Sequence, residues 1–265
     1  MDFAFIGGGN MGRAMAQALV ERNVCPPQRV LVVEPDAASR ERLVPLNIQL
    51  SALPDARVGE AAVVVFAVKP QSAPEAFQTV RPLLRPGQAV LSIMAGVALA
   101  TLREGLGHEA LVRAMPNTPA QIGLGMNVYY PAKSIDAEQL QRVEALLKAC
   151  GETVQVDSED AIDAATAISG SGPAYVFFIA EHWIAAAREL GFSEEDATLL
   201  VQQTLLGATE LWKRQGVPAA TLREQVTSKG GTTAAALEVF NDGALGETFK
   251  QGVERAYARA KELSG

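Results

Sequence analysis

Cysteine and histidine are nearly missing from this chain, with two of each in 265 residues. Cys25 and Cys150 are too few, and too far apart, for a disulfide framework or a structural zinc site, whose ligands recur at short fixed spacings. No cysteine, aspartate or second histidine near His182 completes a metal or catalytic set, so it is expected to be a packed or interface side chain. His108, between Gly107 and Glu109, is expected to be exposed, and no metal site is anticipated. Basic charge is also short: 23 Lys and Arg stand against 30 Asp and Glu, a formal net charge of -7. That balance argues against nucleic acid or an anionic membrane as a general partner. No uninterrupted apolar run reaches membrane-spanning length. The first residues lack the basic segment, apolar stretch and small-residue cleavage pattern of a signal peptide, so the default location is cytoplasmic. Internal repeats and low-complexity segments are absent as well.

With 48% apolar and 20% charged residues, the composition is that of a globular protein with one large or two modest domains. Residues 2–22 read DFAFIGGGNMGRAMAQALVER. Phe3, Phe5 and Ile6 form an apolar run too short for a helix. Gly7, Gly8, Gly9 and Gly12 follow in the spacing G-x-G-x-x-G, with Asn10 and Met11 inside it. Met11, Ala14, Met15, Ala18 and Leu19 then recur at helical spacing. Strand, glycine turn and helix in this order are the dinucleotide-binding fingerprint. Gly7 permits the tight turn, Gly9 admits a pyrophosphate to the backbone, and Gly12 lets the helix lie against the strand. The phosphates would sit over the unpaired N–H groups at the helix start.

Residues 30–33 are a second strand that ends at Glu34, about twenty residues past the glycines. A carboxylate there accepts from a ribose 2'-hydroxyl and repels a 2'-phosphate, although Arg40 and Arg42 are close enough in sequence to soften that repulsion. A helix is expected over 36–43. Residues 63–68, VVVFAV, read as a strand buried on both faces. It ends in Val68, Lys69 and Pro70, where the proline turns the chain out of the sheet and the lysine faces the ligand crevice. A helix over 73–84, a strand over 89–93 leading to Met94, Ala95 and Gly96, a helix over 100–106 and a strand over 111–114 follow. Pro116 and Pro119 bracket Asn117 and Thr118, holding two polar side chains in a stiff loop suited to a cofactor or substrate. A strand over 125–130, a helix over 136–149 capped by Asp136 with Gln139, and a strand over 153–156 complete a doubly wound α/β pattern.

From Asp157 the pattern is helical. Asp157 and Asp160 resemble the cap of a helix reaching Ser169. Ser171, Gly172 and Pro173 break it, and a helix over 174–189 resumes. That helix is apolar around too much of its circumference to face solvent alone, so it belongs inside a bundle or against another subunit. Ser193 and Asp196 open the next helix, Thr221 with Glu224 caps a short one, and helices over 234–240 and 245–261 finish the chain. The expected architecture is an N-terminal Rossmann-like domain over 1–157 and an all-helical dimerisation domain over 158–265. Ahead of the helix at Ala234, Ser228, Lys229, Gly230, Gly231, Thr232 and Thr233 combine flexible backbone, hydroxyls and one cation. Such a loop can hold a compact carboxylate at a helix start.

These residues carry a family resemblance. The runs 5–11 (FIGGGNM), 68–70 (VKP), 113–119 (RAMPNTP), 169–175 (SGSGPAY) and above all 226–233 (VTSKGGTT) resemble the pyrroline-5-carboxylate reductase family, in order and over essentially the whole chain. The resemblance implies reduction of 1-pyrroline-5-carboxylate to L-proline with NADPH or NADH, the last step of proline biosynthesis. It further implies that residues 228–233 bind the substrate carboxylate and ring nitrogen, with Thr233 as the main hydroxyl contact. A homodimer with interleaved C-terminal helices, often assembled into a decamer, is implied too. The catalytic assignments are Thr233 and Lys69. The nucleotide is assigned to residues 7–12, Glu34, Val68, Lys69, Pro70, Ala95, Gly96, Asn117 and Thr118. The family's usual preference for the phosphorylated nucleotide conflicts with Glu34 followed by Asp36, which leaves cofactor choice open.

Two other readings compete. A two-domain hydroxy-acid dehydrogenase needs a helical lysine after its glycine-rich segment, whereas Pro173 here is followed by Ala174, Tyr175, Val176, Phe177 and Phe178, with no lysine before Lys213. A nucleotide-binding sensor without activity would leave the second glycine loop idle.

Overall fold

Apolar runs of four residues build the centre of the sheet, and those at 3–6 and 30–33 are closed by Gly7 and Glu34. The structure, a computed structural model, describes residues 1–264. In chain order the elements are β1 (Phe3–Ile6), α1 (Asn10–Glu21), β2 (Val30–Val33), α2 (Ala37–Glu41), β3 (Gln49–Ser51), β4 (Val63–Phe66), α3 (Ala73–Val80), β5 (Ala89–Ser92), α4 (Leu99–Leu106), β6 (Leu111–Met115), β7 (Gly125–Pro131), α5 (Ala137–Ala149), β8 (Gly151–Gln155) and α6 (Asp160–Ala165). Five helices follow: α7 (Gly172–Glu189), α8 (Glu194–Gln215), α9 (Ala219–Gln225), α10 (Thr232–Asp242) and α11 (Leu245–Ser264). The chain packs as two units, Met1–Pro173 together with the chain from Ala256 onward, and Ala174–Arg255.

In the first unit the strand order is β3-β2-β1-β4-β5-β6-β7-β8. All neighbours from β3 to β6 are parallel. Alternate residues of the central strands feed two cores, as expected where helices cover both faces. Phe3, Phe5, Val63 and Val65 pack with Met15 and Leu19 of α1 and Leu146 and Leu147 of α5. Ala4, Ile6, Val64 and Phe66 pack with Phe77 and Val80 of α3 and Leu102 and Leu106 of α4. The chain leaves β1 toward β2 and comes back to β4 on its other side. That switch point, at the carboxyl ends of β1 and β4, is the usual ligand position in such sheets.

The Rossmann-like sheet and the helical C-terminal part agree with the pattern read from sequence, with local differences. β3 is a three-residue edge strand that the apolar pattern did not reveal, because Gln49 and Ser51 are polar and only half-buried. β7 runs antiparallel to β6. The helix expected over 73–84 stops at Val80 and tightens into a 3-10 turn, Arg81–Leu83, because Pro82 has no N–H and would strike the preceding turn. Asp157 does not cap α6. The residue at the cap is Glu159, whose carboxylate accepts instead from the Leu99 N–H at 2.7 Å and from Arg113 at 3.1 Å. No clean break follows at residues 171–173. A π-turn, Thr166–Gly170, runs straight to α7, and Pro173 sits in the first turn, where a missing N–H costs nothing. Thr221 lies inside α9, whose cap position is Pro218. His108 is half-buried, with Nε2 2.8 Å from the Gln88 carbonyl. The capping box of Asp136 and Gln139 forms as expected.

Arg113 is the largest fully buried side chain of the first unit, 2% exposed. Its Nη2 donates to Asp163 at 2.6 Å, and Ser264, near the end of α11, donates to the same carboxylate at 2.8 Å. The tail of α11 is also tied to α6 at the surface, where Asp160 accepts from Tyr257 at 2.7 Å and pairs with Lys261 at 3.0 Å. These partners hold the Asp160 carboxyl below the usual carboxylate range.

In the second unit Ser193 caps α8 by accepting from the Asp196 N–H at 3.0 Å, and Ala197 and Val201 are buried. α7 buries none of its side chains within the chain: Phe177 is 66% and Phe178 62% exposed. Of the two places expected for this apolar helix, the interior of the chain's own bundle is therefore not the one it takes. His182 is exposed too, its ring tilted against Phe178 at 4.2 Å. No helix among the described residues is long and apolar enough to cross a membrane.

Removing Asp163 would leave the buried Arg113 charge facing only Glu159. We expect Asp163→Ala to cost about 3 kcal/mol and to lower Tm by roughly 10 °C in thermal unfolding followed by circular dichroism. A Tm within a degree of the parent protein would show that the pair contributes nothing to stability.

Candidate nucleotide and carboxylate sites

The register of the sheet brings most of the sequence-predicted residues to one edge. Ile6 aligns with Val33 on one side and Phe66 on the other, and Phe66 aligns with Ser92. The segments that follow these strands, 7–12, Glu34, 67–70 and 93–96, therefore leave the sheet side by side. Residues 115–119 extend the row beyond β6.

The glycine turn is shaped by close approaches. Gly7 has φ +107° and donates to the Val33 carbonyl at 2.8 Å, and a Cβ there would lie 2.8 Å from the Ala67 carbonyl group. A side chain at Gly8 would meet Val32, Leu43 and Glu34. Gly12 is the tightest position, since its Cβ would overlap the Gly7 carbonyl oxygen. Gly9 is different: a Cβ there would meet nothing within 4 Å. Gly9 occupies the N-cap of α1, and no side chain caps that helix. The first N–H groups of α1, from Asn10, Met11 and Gly12, thus border an open space lined by glycine. This is the arrangement a pyrophosphate needs, with N–H donors and the positive end of a twelve-residue helix.

Glu34, expected at the ribose, is half-buried. Its Oε2 accepts from the Gly8 N–H at 2.8 Å and its Oε1 from the Asp36 N–H at 3.0 Å. Asp36 caps α2 by accepting from Ser39 N–H at 2.7 Å, and the Ser39 side chain first, with this backbone bond second, holds its carboxyl below the usual range. Arg40 folds back and donates from Nη1 to the carbonyls of Glu34 at 2.6 Å and Pro35 at 2.7 Å.

Val68 packs against the second core, and Lys69 is exposed where the chain turns at Pro70. Ala95 and Gly96 follow β5, and Gly96 takes φ +73° under the Leu263 carbonyl, which leaves 2.6 Å for a Cβ. The amide of Asn117 serves as a bracket. Its Oδ1 accepts from Met126 N–H at 2.8 Å and its Nδ2 donates to the Ser169 carbonyl at 3.0 Å, while Thr118 is exposed. The bracket joins the proline-bounded loop to β7 and to the π-turn. Glu159, Asp163 and Ser264, which hold Arg113 and the start of α4, were not singled out by sequence, because they lie 46 to 151 residues from Arg113.

In the second unit, Ser228, Lys229, Gly230 and Gly231 form a turn closed by the Gly231 N–H donating to the Ser228 carbonyl at 3.0 Å. Gly230 has φ +72°, the left-handed region that favours glycine. Gly231 is the N-cap of α10 with no side chain bonded there, and Thr232 and Thr233 are the first two helical residues. Ser228, Lys229, Gly230 and Thr232 are exposed and Thr233 is half-buried. The loop offers hydroxyls, a cation and free helix N–H groups to an anion.

Neither cysteine lies in these two loops, and both are buried. Burial, with Asp2 adding to it, pushes the Cys25 thiol up to about 11, and burial alone pushes Cys150 up to about 12, so both stay protonated near neutral pH. Among the described residues no group of three or more His, Cys, Asp or Glu side chains could hold a metal ion.

Known proteins resemble this chain over both units. A family model described as pyrroline-5-carboxylate reductase dimerisation matches residues 159–263, and one described as NADP oxidoreductase coenzyme F420-dependent matches residues 2–96. The pyrroline-5-carboxylate reductase of Pseudomonas aeruginosa is 37% identical over 263 residues, 98% of this chain and 96% of that protein. Among solved structures, a pyrroline-5-carboxylate reductase from Coxiella burnetii superposes with a TM-score of 0.91 at 34% identity, covering 100% of this chain and 98% of that one. The Plasmodium falciparum pyrroline carboxylate reductase, with NADP bound, superposes with a TM-score of 0.90 at 28% identity, covering 100% and 98%.

The glycines separate two requirements that can be tested apart. Gly12→Ala should cost about 2 kcal/mol by overpacking and abolish nucleotide binding. Gly9→Ala should leave Tm unchanged but weaken nucleotide binding about tenfold, read by quenching of protein fluorescence. Equal Tm values for the two variants would refute the packing assigned to Gly12.

Proposed function

The chain belongs to the pyrroline-5-carboxylate reductase family, and from that premise we propose how its residues divide the work. The activity is NAD(P)H-dependent reduction of 1-pyrroline-5-carboxylate to L-proline, the closing step of proline biosynthesis. Functionally the chain divides into a nucleotide-binding part, 1–157, and a substrate-binding and dimerisation part, 158–265. The packing units differ from this division because α6 and the tail of α11 are anchored on Arg113.

Gly7, Gly8, Gly9, Asn10, Met11 and Gly12 hold the pyrophosphate. Glu34 meets the adenosine ribose. Val68, Lys69, Pro70, Ala95, Gly96, Asn117 and Thr118 border the remainder of the nucleotide along the same edge, with Lys69 supplying the one cation there that we count as catalytic. When bound, the reduced nicotinamide supplies a hydride to the carbon of the substrate's C=N bond. Ser228, Lys229, Gly230, Gly231 and Thr232 hold the substrate carboxylate against the uncapped start of α10. Thr233 contacts the ring nitrogen through its hydroxyl.

The single observation that carries this assignment is the loop ahead of α10, in which left-handed Gly230 and the uncapped N-cap Gly231 leave N–H groups free for an anion. A protonated imine is already electrophilic, so the protein can act by positioning and by replacing hydration with fixed dipoles, without a shifted acid or base. Balance is simple: the C=N carbon gains hydride, the nitrogen carries the proton, and the nucleotide is oxidised.

Homodimerisation through the C-terminal helices accounts for the exposed Phe177, Phe178 and Trp183, and further assembly into a decamer is part of the proposal. Cytoplasmic residence is also proposed, in keeping with two free, buried cysteines.

Oxidation of NADH or NADPH, followed by loss of the reduced nucleotide's absorbance, should depend on added 1-pyrroline-5-carboxylate and yield proline. Oxidation of neither nucleotide would defeat the functional reading. Thr233→Ala should reduce kcat/KM for the imine about a hundredfold while changing nucleotide affinity less than about threefold. Parallel losses of both would reject its assignment to substrate.

A further inference from the structure

The carboxyl end of β2 carries a choice between the two nucleotides, and it rests on the functional reading above. Glu34 is not a loose strand-end carboxylate. Two backbone N–H groups, from Gly8 in the glycine turn and from Asp36, fix both of its oxygens. Each oxygen keeps a further lone pair, so the group is a pre-aligned acceptor beside the pyrophosphate turn. A ribose 2'-hydroxyl can donate to it. A 2'-phosphate has no proton to give near neutral pH and would bring about two negative charges against it. Asp36 adds a second carboxylate two residues on.

The cations that could offset this are Arg40 and Arg42. Arg40 is tied back to the chain through one of its nitrogens, since its Nη1 bonds the carbonyls of Glu34 and Pro35 and so braces the very turn that presents the carboxylate. Arg42 is exposed and lies past the end of α2, near enough to act on Asp36 but with no bond to the turn. The geometry points to NADH as the working nucleotide of this chain: Glu34, fixed by Gly8 and Asp36, selects the 2'-hydroxyl and rejects the 2'-phosphate.

The test uses the full-length protein and reads binding and turnover separately. Dissociation constants for NAD+ and NADP+ are measured by isothermal titration calorimetry, and kcat/KM for NADH and NADPH with saturating 1-pyrroline-5-carboxylate. We expect NAD+ to bind at least about tenfold more tightly than NADP+, with the same direction in kcat/KM. Glu34→Gln keeps an oxygen for the Gly8 N–H and removes the charge, so it should narrow the ratio about tenfold or reverse it. Glu34→Ala should do the same if it folds, and Glu34→Gln decides the matter if it does not. Asp36→Asn should narrow the ratio by a smaller factor.

Parent protein that binds NADP+ as tightly as NAD+, or more tightly, overturns the inference even if turnover is normal. So does a Glu34→Gln variant with the parent ratio. A collapse of NADP+ binding in Arg40→Met would also overturn it, by showing that Arg40 leaves the carbonyls for the phosphate. Absence of turnover with intact preference for NAD+ would instead count against the reaction and leave the selection standing.

Discussion

Helix α1 can begin over the carboxyl edge of the sheet only because Gly12 brings no Cβ to the Gly7 carbonyl oxygen. That approach sets the distance between helix and turn, and through it the direction in which the first N–H groups of α1 point. Gly7 is held in turn by Val33 and by the backbone after β4, so three adjacent strands are locked around one loop. Gly8 extends the lock to Glu34. A change in any of these contacts would move the start of α1 relative to the Glu34 carboxylate.

The chemistry assigned to the protein asks little of titratable groups, and the molecule is built accordingly. Burial raises both of its thiols, and the starts of α1 and α10 are left uncapped at glycine. The buried charge goes into holding the architecture. Arg113, Asp163, Glu159 and Ser264 clamp α6 and the end of α11 onto β6, and Leu263 then lies on the turn at Gly96. A hydride transfer to an activated imine depends on the placement of two rings, so rigid framing is the property that such a fold must supply.

Much of this was legible in the chain. The apolar runs at 3–6, 30–33, 63–66 and 89–92 marked buried parallel strands because both of their faces are covered. The glycine spacing marked the turn after β1 because the close approaches at Gly7, Gly8 and Gly12 tolerate no side chain. β3 was hidden because an edge strand with polar, half-buried residues has no apolar signature. The antiparallel β7 had a readable signal that periodicity does not carry. The connection 116–124 is shorter than the dozen residues that a parallel crossover needs. The cap of α6 was misread because Glu159 is taken by partners that the local sequence cannot show.

The amino-acid sequence by itself determined the order of elements, the two glycine loops and the chemical types placed in them, since each depends on residues within about one turn of each other. Tertiary structure decided what those residues are free to do. Glu34 is a fixed acceptor because Gly8, twenty-six residues earlier, donates to it, and Arg40 is a brace because two carbonyls lie within its reach. Asn117 became a bracket between Met126 and Ser169, and Arg113 became a clamp for a helix ending about 150 residues later. Hydrogen bonds act at about 3 Å whatever the separation along the chain, so the partners that settle a side chain's role are known only once the fold has brought them together.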